Sequence, residues 1–137
     1  MFSRFFTNHG KINRIGFESM KEFLEMSTSS SSSRILVNTL SLSEQSCLIQ
    51  DTISASKEES MINDFLNDYD TSVSIVVYGK NAHDIRPQEK CTQFVDLGFQ
   101  NVYWYVGGMF EWLLLQEIYG NAEFPTTQLC KDILMYR

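Results

Sequence analysis

The stretch Ser74–Asn81 reads SIVVYGKN, and it decides the fold. Its aliphatic run, Ile75–Val77, is typical of a strand that is buried on both faces of a parallel sheet. The residues that follow such a strand lie at the carboxyl edge of the sheet, where α/β proteins place their functional groups. Gly79 is the first of these residues. The sequence therefore predicts a functional edge that lacks a side chain at its first position.

Strand and helix patterns alternate along the chain. Because such alternation is typical of βαβ units, we predict an α/β fold with a mainly parallel sheet of about five strands, flanked by helices on both faces. Ser56 and Glu59 have the spacing of a capping box at the start of a helix. The predicted strands are 34–38, 73–78 (central in the sheet) and 101–106, and the predicted helices are 17–26, 56–69, 88–99, 107–120 and 126–136.

The composition fits a single acidic domain. The 137 residues are 43% hydrophobic and 13% aromatic, which is enough apolar material for a folded core. We predict one domain over residues 1–137, with a flexible serine-rich loop at 27–33 and a helical extension at 120–137. The net charge of −6 and the scattered basic residues argue against nucleic acid or an anionic membrane surface as the partner.

The cellular location is predicted from the apolar segments and the cysteines. No apolar stretch approaches the roughly 20 residues that a membrane span needs. Residues 1–15 do not have the pattern of a secretory signal peptide. We therefore expect a soluble protein in a reducing, cytoplasmic compartment. Cys47, Cys91 and Cys130 are an odd and widely spaced set, which favours free thiols over a disulfide framework.

The second half of the chain carries three motifs in a defined order. The strand and glycine of IVVYGKN come first, and FVDLGF follows with a Leu-x-x-x-Gly-Phe-like pattern at Phe94–Phe99. GGMFEW then supplies a Gly-Gly-x-x-x-Trp pattern at Gly107, Gly108 and Trp112. This order resembles that of rhodanese-like domains, most strongly over residues 73–112 and more weakly over 12–119. The resemblance implies a rhodanese-like fold for the whole chain.

The same resemblance implies a role for the position of Gly79. In rhodanese-like enzymes a catalytic cysteine directly follows this strand, and its thiolate takes up a sulfane sulfur inside a ring of loop amides. Such a ring, together with the start of the following helix, stabilises an anionic sulfur. Gly79 supplies no nucleophile, and Asn38 and Leu40 stand where an Asp-x-Arg pair is expected. The resemblance therefore implies a catalytically inactive domain.

The loop that begins at Gly79 is the candidate binding site. Its amides are expected near the start of the next helix, an arrangement that favours an anion. Lys80 and Arg86 would add positive charge, and His83 with Asp84 could act as a proton-transfer pair. The alternative is an ordinary solvated loop. The candidate residues are Gly79, Lys80, Asn81, Ala82, His83, Asp84 and Arg86.

Three functional hypotheses remain open. The first is an inactive rhodanese-like domain that works as an intracellular binding or regulatory module, with a small anion, an acidic peptide or a protein partner and without a cofactor. The second is a divergent sulfurtransferase that uses Cys47, since Cys91 and Cys130 lie on apolar faces of predicted helices. The third is a purely structural subunit. Metal binding is not expected, because His9 and His83 are far apart and have no cysteine at ligand spacing.

Overall fold

The fold was obtained as a computed structural model, which describes residues 11–26, 33–130 and 132–137. The predicted serine-rich loop at 27–33 lies outside this part of the chain except for Ser33. The strands and helices, in chain order, are β1 (Asn13–Ile15), α1 (Phe17–Glu25), β2 (Arg34–Asn38), α2 (Ala55–Asn67), β3 (Ser74–Tyr78), α3 (Arg86–Asp96), β4 (Asn101–Tyr105) and α4 (Gly108–Tyr119). Short 3₁₀ helices span Leu42–Glu44 and Ile133–Tyr136.

The described strands form one parallel sheet in the order β1-β4-β3-β2. Strand β3 pairs with β2 on one side and with β4 on the other, which confirms that 73–78 contains a central strand. The predicted α/β fold with a parallel sheet is confirmed, and the sheet has four strands in the residues described. Strand β1 has no counterpart among the predicted strands, because its three residues, NRI, carry no apolar run.

Side chains of β3 point alternately into two hydrophobic cores. Val76 and Tyr78 belong to a core between the sheet, α1 and α4, where Met20 and Trp112 are also fully buried. The second core lies on the opposite face, against α2 and α3. Its buried members include Ile35, Val37, Ile62, Ile75, Val77, Cys91 and Phe94. Helices therefore cover both faces, as predicted, and this is why β3 is a continuous apolar run.

Helix α2 begins one residue before the predicted capping box. Ser54 is the N-cap residue, so Ser56 already lies in the first turn and its hydroxyl contacts that of Ser54 at 3.1 Å. The amide of Ile53 donates to the carbonyl of Leu36 at 3.0 Å, which fixes the chain beside β2 just before the helix. The helix at this place is confirmed, whereas the cap at Ser56 and Glu59 is wrong.

The predicted helix at 126–136 does not form. Thr126 makes an antiparallel bridge with Ile49, and the amide of Thr127 donates to the carbonyl of Leu48 at 2.8 Å. These backbone groups are therefore not available for helical hydrogen bonds. Among residues 126–130 and 132–136, which the structure describes, only the 3₁₀ helix Ile133–Tyr136 is helical. The described residues of the extension, 120–130 and 132–137, thus run over the domain mainly as irregular chain.

The cysteines also differ from the prediction. Cys47 and Cys130 form a disulfide, with their Cα atoms 5.7 Å apart, a separation usual for such bonds. The prediction of free thiols at these two positions is wrong, because residues that are distant in sequence meet through the Ile49–Thr126 bridge. Cys91 is free and buried, as predicted, and burial raises the pKa of its thiol to about 12.

The helices in the described part of the chain are all too short or too polar to cross a lipid bilayer.

Candidate functional site

Gly79 lies buried at the carboxyl end of β3, where neighbouring side chains leave no room for a Cβ atom. An added Cβ would lie 2.5 Å from both Asp84 Oδ2 and Pro87 Cγ, and 2.8 Å from Thr39 Oγ1. Contacts under 3.0 Å require a neighbour to move. The position that the resemblance assigns to a catalytic cysteine is therefore closed as well as lacking a nucleophile.

The Asp84 carboxylate occupies the space beside Gly79 and accepts hydrogen bonds from the surrounding loop. The Lys80 amide donates to Oδ2 at 2.9 Å and the Arg86 amide donates to Oδ1 at 3.1 Å. The Arg86 guanidinium adds two charge-assisted bonds, from Nε to Oδ1 at 2.9 Å and from Nη2 to Oδ2 at 2.8 Å. Two loop amides thus converge on one anion, as expected for an anion cradle. That anion is a side chain of the loop itself.

The environment of Asp84 keeps its carboxyl ionised. The side chain is only 9% exposed, and burial alone would raise its pKa. Hydrogen bonds from the Arg86 side chain, from the Lys80 amide and from the Arg86 amide outweigh burial, and the charge of Arg86 adds to them, so the pKa of Asp84 is lowered. In turn, the hydrogen bond to Asp84 raises the pKa of Arg86. The pair is therefore charged at neutral pH.

Lys80 is paired with a second carboxylate. Its Nζ lies 3.5 Å from Oε2 of Glu44, whose side chain is buried at the end of the first 3₁₀ helix. Burial raises the pKa of Glu44, but hydrogen bonds from Ser41 and the charge of Lys80 lower it by more. Both predicted cations of the loop thus already contact carboxylates of the protein. An external anion has to compete with these two internal partners.

The remaining loop residues are placed by Asn81. Its side-chain oxygen accepts from the His83 amide at 2.9 Å, and its carbonyl accepts from the Asp84 amide at 3.2 Å. Its Nδ2 donates to the carbonyl of Tyr136 at 2.9 Å, which joins the loop to the C-terminal 3₁₀ helix. Ala82 and His83 are exposed, and Asp84 pairs with Arg86 rather than with His83.

Gly108 allows the start of α4 to approach the loop closely. Its φ angle of +69° favours glycine, and a Cβ there would lie 2.8 Å from the carbonyl oxygen of Gly79. The next two amides of α4, from Met109 and Phe110, donate to the carbonyls of Gly79 and Lys80, both at 2.9 Å. The Gly-Gly motif therefore fixes the beginning of the candidate loop against the beginning of α4.

Glu44 and Tyr136 are site residues that the sequence reading missed. Glu44 could have been found, because Ser41 and Glu44 have capping-box spacing and form that box in the structure. Tyr136 is 3% exposed and lies close to Glu44. Burial raises the pKa of the Tyr136 hydroxyl, and the negative charge of Glu44 raises it further. No local pattern identifies Tyr136, since its contacts are far away in sequence.

Cys47, the candidate nucleophile of the alternative hypothesis, is 7% exposed and belongs to the first core. Its disulfide with Cys130 leaves no thiolate. Within the described residues there is also no group of three or more side chains that could hold a metal ion.

No family model and no curated protein matches this chain. Solved structures do match it. A yeast protein tyrosine phosphatase of the rhodanese family has a TM-score of 0.62 at 12% identity, over 92% of this chain and 97% of that one. The Alr3790 protein from Anabaena has a TM-score of 0.57 at 18% identity, over 74% of this chain and 86% of that one.

The chain has a rhodanese-like fold. The rhodanese-like domain of the Anabaena protein in solution agrees, with a TM-score of 0.51 at 19% identity over 87% of this chain and 81% of that one. Such low identities establish the fold alone.

Proposed function

We propose that this rhodanese-like domain is catalytically inactive and works as a binding or regulatory module in the cytoplasm. The main support for an inactive domain is the position of the Asp84 carboxylate. It lies beside Gly79 and accepts hydrogen bonds from the Lys80 and Arg86 amides. In an active rhodanese-like enzyme, by the resemblance, a cysteine sulfur would need that space and those amides. Here the protein supplies its own anion, so the Lys80 and Arg86 amides have a hydrogen-bond partner without a substrate.

The loop Gly79–Arg86 contains no cysteine, so it has neither the expected thiolate at position 79 nor a second thiolate in its place. Gly79 has no side chain, and Cys91 belongs to the second core with a thiol pKa of about 12. A thiol with such a pKa is almost entirely protonated at neutral pH, and the thiolate is the reactive form. The geometry therefore favours binding over covalent chemistry.

We expect no transfer of sulfur from thiosulfate to cyanide above the rate without protein, in either the oxidised or the reduced chain. A covalent persulfide requires a nucleophilic thiolate, which the loop lacks. The measurement is thiocyanate formation. The variant Cys91→Ala is the control that shows whether the buried Cys91 thiol contributes to it. Turnover by the reduced protein that disappears in Cys47→Ala would establish the divergent sulfurtransferase instead.

The proposed ligand is a small anion or an acidic side chain of a protein partner. Lys80 and Arg86 supply the positive charge, and both are already paired, with Glu44 and Asp84. An external anion has to replace at least one of these carboxylates. The affinity of the wild type for sulfate is therefore expected to be millimolar or weaker and to fall with added salt.

Asp84→Ala is expected to increase the affinity for sulfate roughly tenfold. The variant empties the space beside Gly79 and frees the Arg86 guanidinium and two amides, and hydrogen bonds to a charged group are worth about 1.5–3 kcal/mol. The measurement is an NMR titration, with shifts concentrated at the amides of Lys80 to Arg86.

Asp96→Ala is the matched control for this titration. It removes the same charge at the opposite end of α3, where Asp96 is exposed. Equal affinities of the Asp84→Ala and Asp96→Ala variants would show that the loop does not select anions. The interaction surface of the domain would then lie elsewhere.

A further inference from the structure

The described residues after α4 cross the domain, and residues 132–137 lie against the candidate loop. We call residues 121–130 and 132–137 of this region the C-terminal strap. The carbonyl of Tyr136 accepts from Asn81 Nδ2 at 2.9 Å, and the Tyr136 side chain is buried in the first core. Tyr136 also lies near Glu44, the carboxylate that pairs with Lys80. The end of the strap therefore covers one side of the loop.

The first part of the strap is held by many polar contacts. The carbonyl of Pro125 accepts from the Gln50 amide at 3.1 Å and from Trp112 Nε1 at 3.0 Å. Gln116 Nε2 donates to the Phe124 carbonyl at 2.8 Å and to Thr126 Oγ1 at 3.1 Å. These contacts come from α4 and from the chain between β2 and α2. They do not depend on the disulfide.

The last part of the strap is held differently. In the described residues 132–137, the hydrogen bond from Asn81 to Tyr136 joins the strap to the candidate loop, and the hydrogen bonds that the amides of Leu134, Met135 and Arg137 donate are local. Leu134 and Met135 are 59% and 49% exposed. The Cys47–Cys130 disulfide lies between the two parts and ties the strap to the core just before residues 132–137, which are otherwise held by the packing of Tyr136 and Ile133 on the first core and by the Asn81 hydrogen bond.

We infer that this disulfide is a redox-controlled clasp that keeps residues 132–137 on the candidate loop. A dithiol reductant would open the clasp: two thiol–disulfide exchanges convert the S–S bond into two thiols, while the reductant is oxidised to its own disulfide. The first part of the strap would stay in place through its own hydrogen bonds. The last part would become free to leave, and the Asn81 side of the loop would be uncovered. The regulatory role of this step rests on the proposed binding function of the loop.

The disulfide can be tested directly by counting thiols. The chain is first oxidised with oxidised glutathione, then unfolded and alkylated with iodoacetamide. We expect one alkylated cysteine, Cys91, and three after treatment with dithiothreitol. Three alkylated cysteines in the oxidised sample would overturn the inference.

The clasp is tested by amide hydrogen exchange of the full chain, followed by mass spectrometry. Reduction is expected to speed exchange in residues 132–137 by roughly tenfold or more and to leave residues 34–38 unchanged, because local opening occurs first in segments with few hydrogen bonds to the rest of the domain. Cys130→Ser should exchange at the faster rate without reductant, whereas Cys91→Ser should respond to reductant like the wild type. Unchanged exchange in residues 132–137 in the reduced protein and in Cys130→Ser would overturn the clasp.

Sulfate titration of the same samples separates this inference from the proposed function. The uncovered loop is expected to bind sulfate more tightly in the reduced protein than in the oxidised protein. Faster exchange without any sulfate binding, also in Asp84→Ala, would retain the clasp and reject the anion-binding function. Equal sulfate affinity of the oxidised and reduced proteins would retain that function and reject its control by the disulfide.

Discussion

Replacing Trp112 with alanine is expected to lower the free energy of unfolding by roughly 3–5 kcal/mol, the usual cost of removing a buried aromatic side chain. The ring is completely buried and makes edge contacts with Tyr105 and Phe124, at centroid distances of 6.0 and 5.0 Å. It thus joins β4, α4 and the strap in one core. Urea denaturation followed by circular dichroism measures the effect.

Two further variants show which part of Trp112 matters. Trp112→Phe keeps an aromatic ring and loses the Nε1 hydrogen bond, but the Pro125 carbonyl still accepts from the Gln50 amide. We therefore expect it to cost much less than Trp112→Ala. Ile118→Ala, at a 69% exposed position of the same helix, should change stability by no more than about 0.5 kcal/mol. A loss in Trp112→Ala as small as that in Ile118→Ala would contradict the packing described for α4.

The sequence predicts the centre of the fold well because the signal there is local. The run Ile75–Val77 needs burial on both faces, and the sheet supplies two cores. The glycine-rich motif at Gly107 and Gly108 also has a local cause, since the backbone at Gly108 has a positive φ and lies against the carbonyl of Gly79. Such requirements appear in the residue types themselves.

The C-terminal region could not be predicted in the same way. Ile133 and Leu134 have helical spacing from Cys130, and that spacing favours a helix. The backbone of residues 125–127 instead bonds to residues 48–50, which lie about half the chain away. The Cys47–Cys130 disulfide has the same origin, with a sequence separation of 83 residues. A local pattern contains no information about partners at that distance.

The sequence predicts that the candidate site lacks a cysteine, but it does not predict that the Asp84 carboxylate lies there instead. The neighbouring His83 and Asp84 suggested a proton-transfer pair. The Asp84 side chain instead accepts from the amide two residues later, at Arg86, which is a common turn of aspartate before a helix. That part could have been recognised from the sequence DIRP. The contact with the Lys80 amide depends on the fold of the whole loop.

Gly79→Cys is expected to leave the domain without sulfur transfer and to lower its free energy of unfolding by roughly 1–3 kcal/mol, the usual cost of overpacking. The new Cβ would lie 2.5 Å from Oδ2 of Asp84, whose carboxylate accepts four hydrogen bonds, and 2.5 Å from the ring of Pro87. Gly79→Ala should cost nearly as much, because it adds the same Cβ atom. Gly16→Ala is the control, since its Cβ would lie 3.2 Å from the flexible Glu18 side chain.

Adding Asp84→Ala to Gly79→Cys is expected to restore part of the lost stability, with a coupling of about 1 kcal/mol in the double-mutant cycle. The second substitution removes one of the two closest contacts and leaves the Pro87 ring, so the recovery is incomplete.

Asp84→Ala also frees the Lys80 and Arg86 amides, which can then donate hydrogen bonds to the thiolate of the cysteine introduced at position 79. The thiol of the double variant should therefore have a lowered pKa, measured by the pH dependence of its alkylation in the Cys47→Ser/Cys130→Ser background, with Gly79→Cys alone for comparison. Additive stability losses and an ordinary thiol pKa would mean that Asp84 does not occupy the place of the missing sulfur.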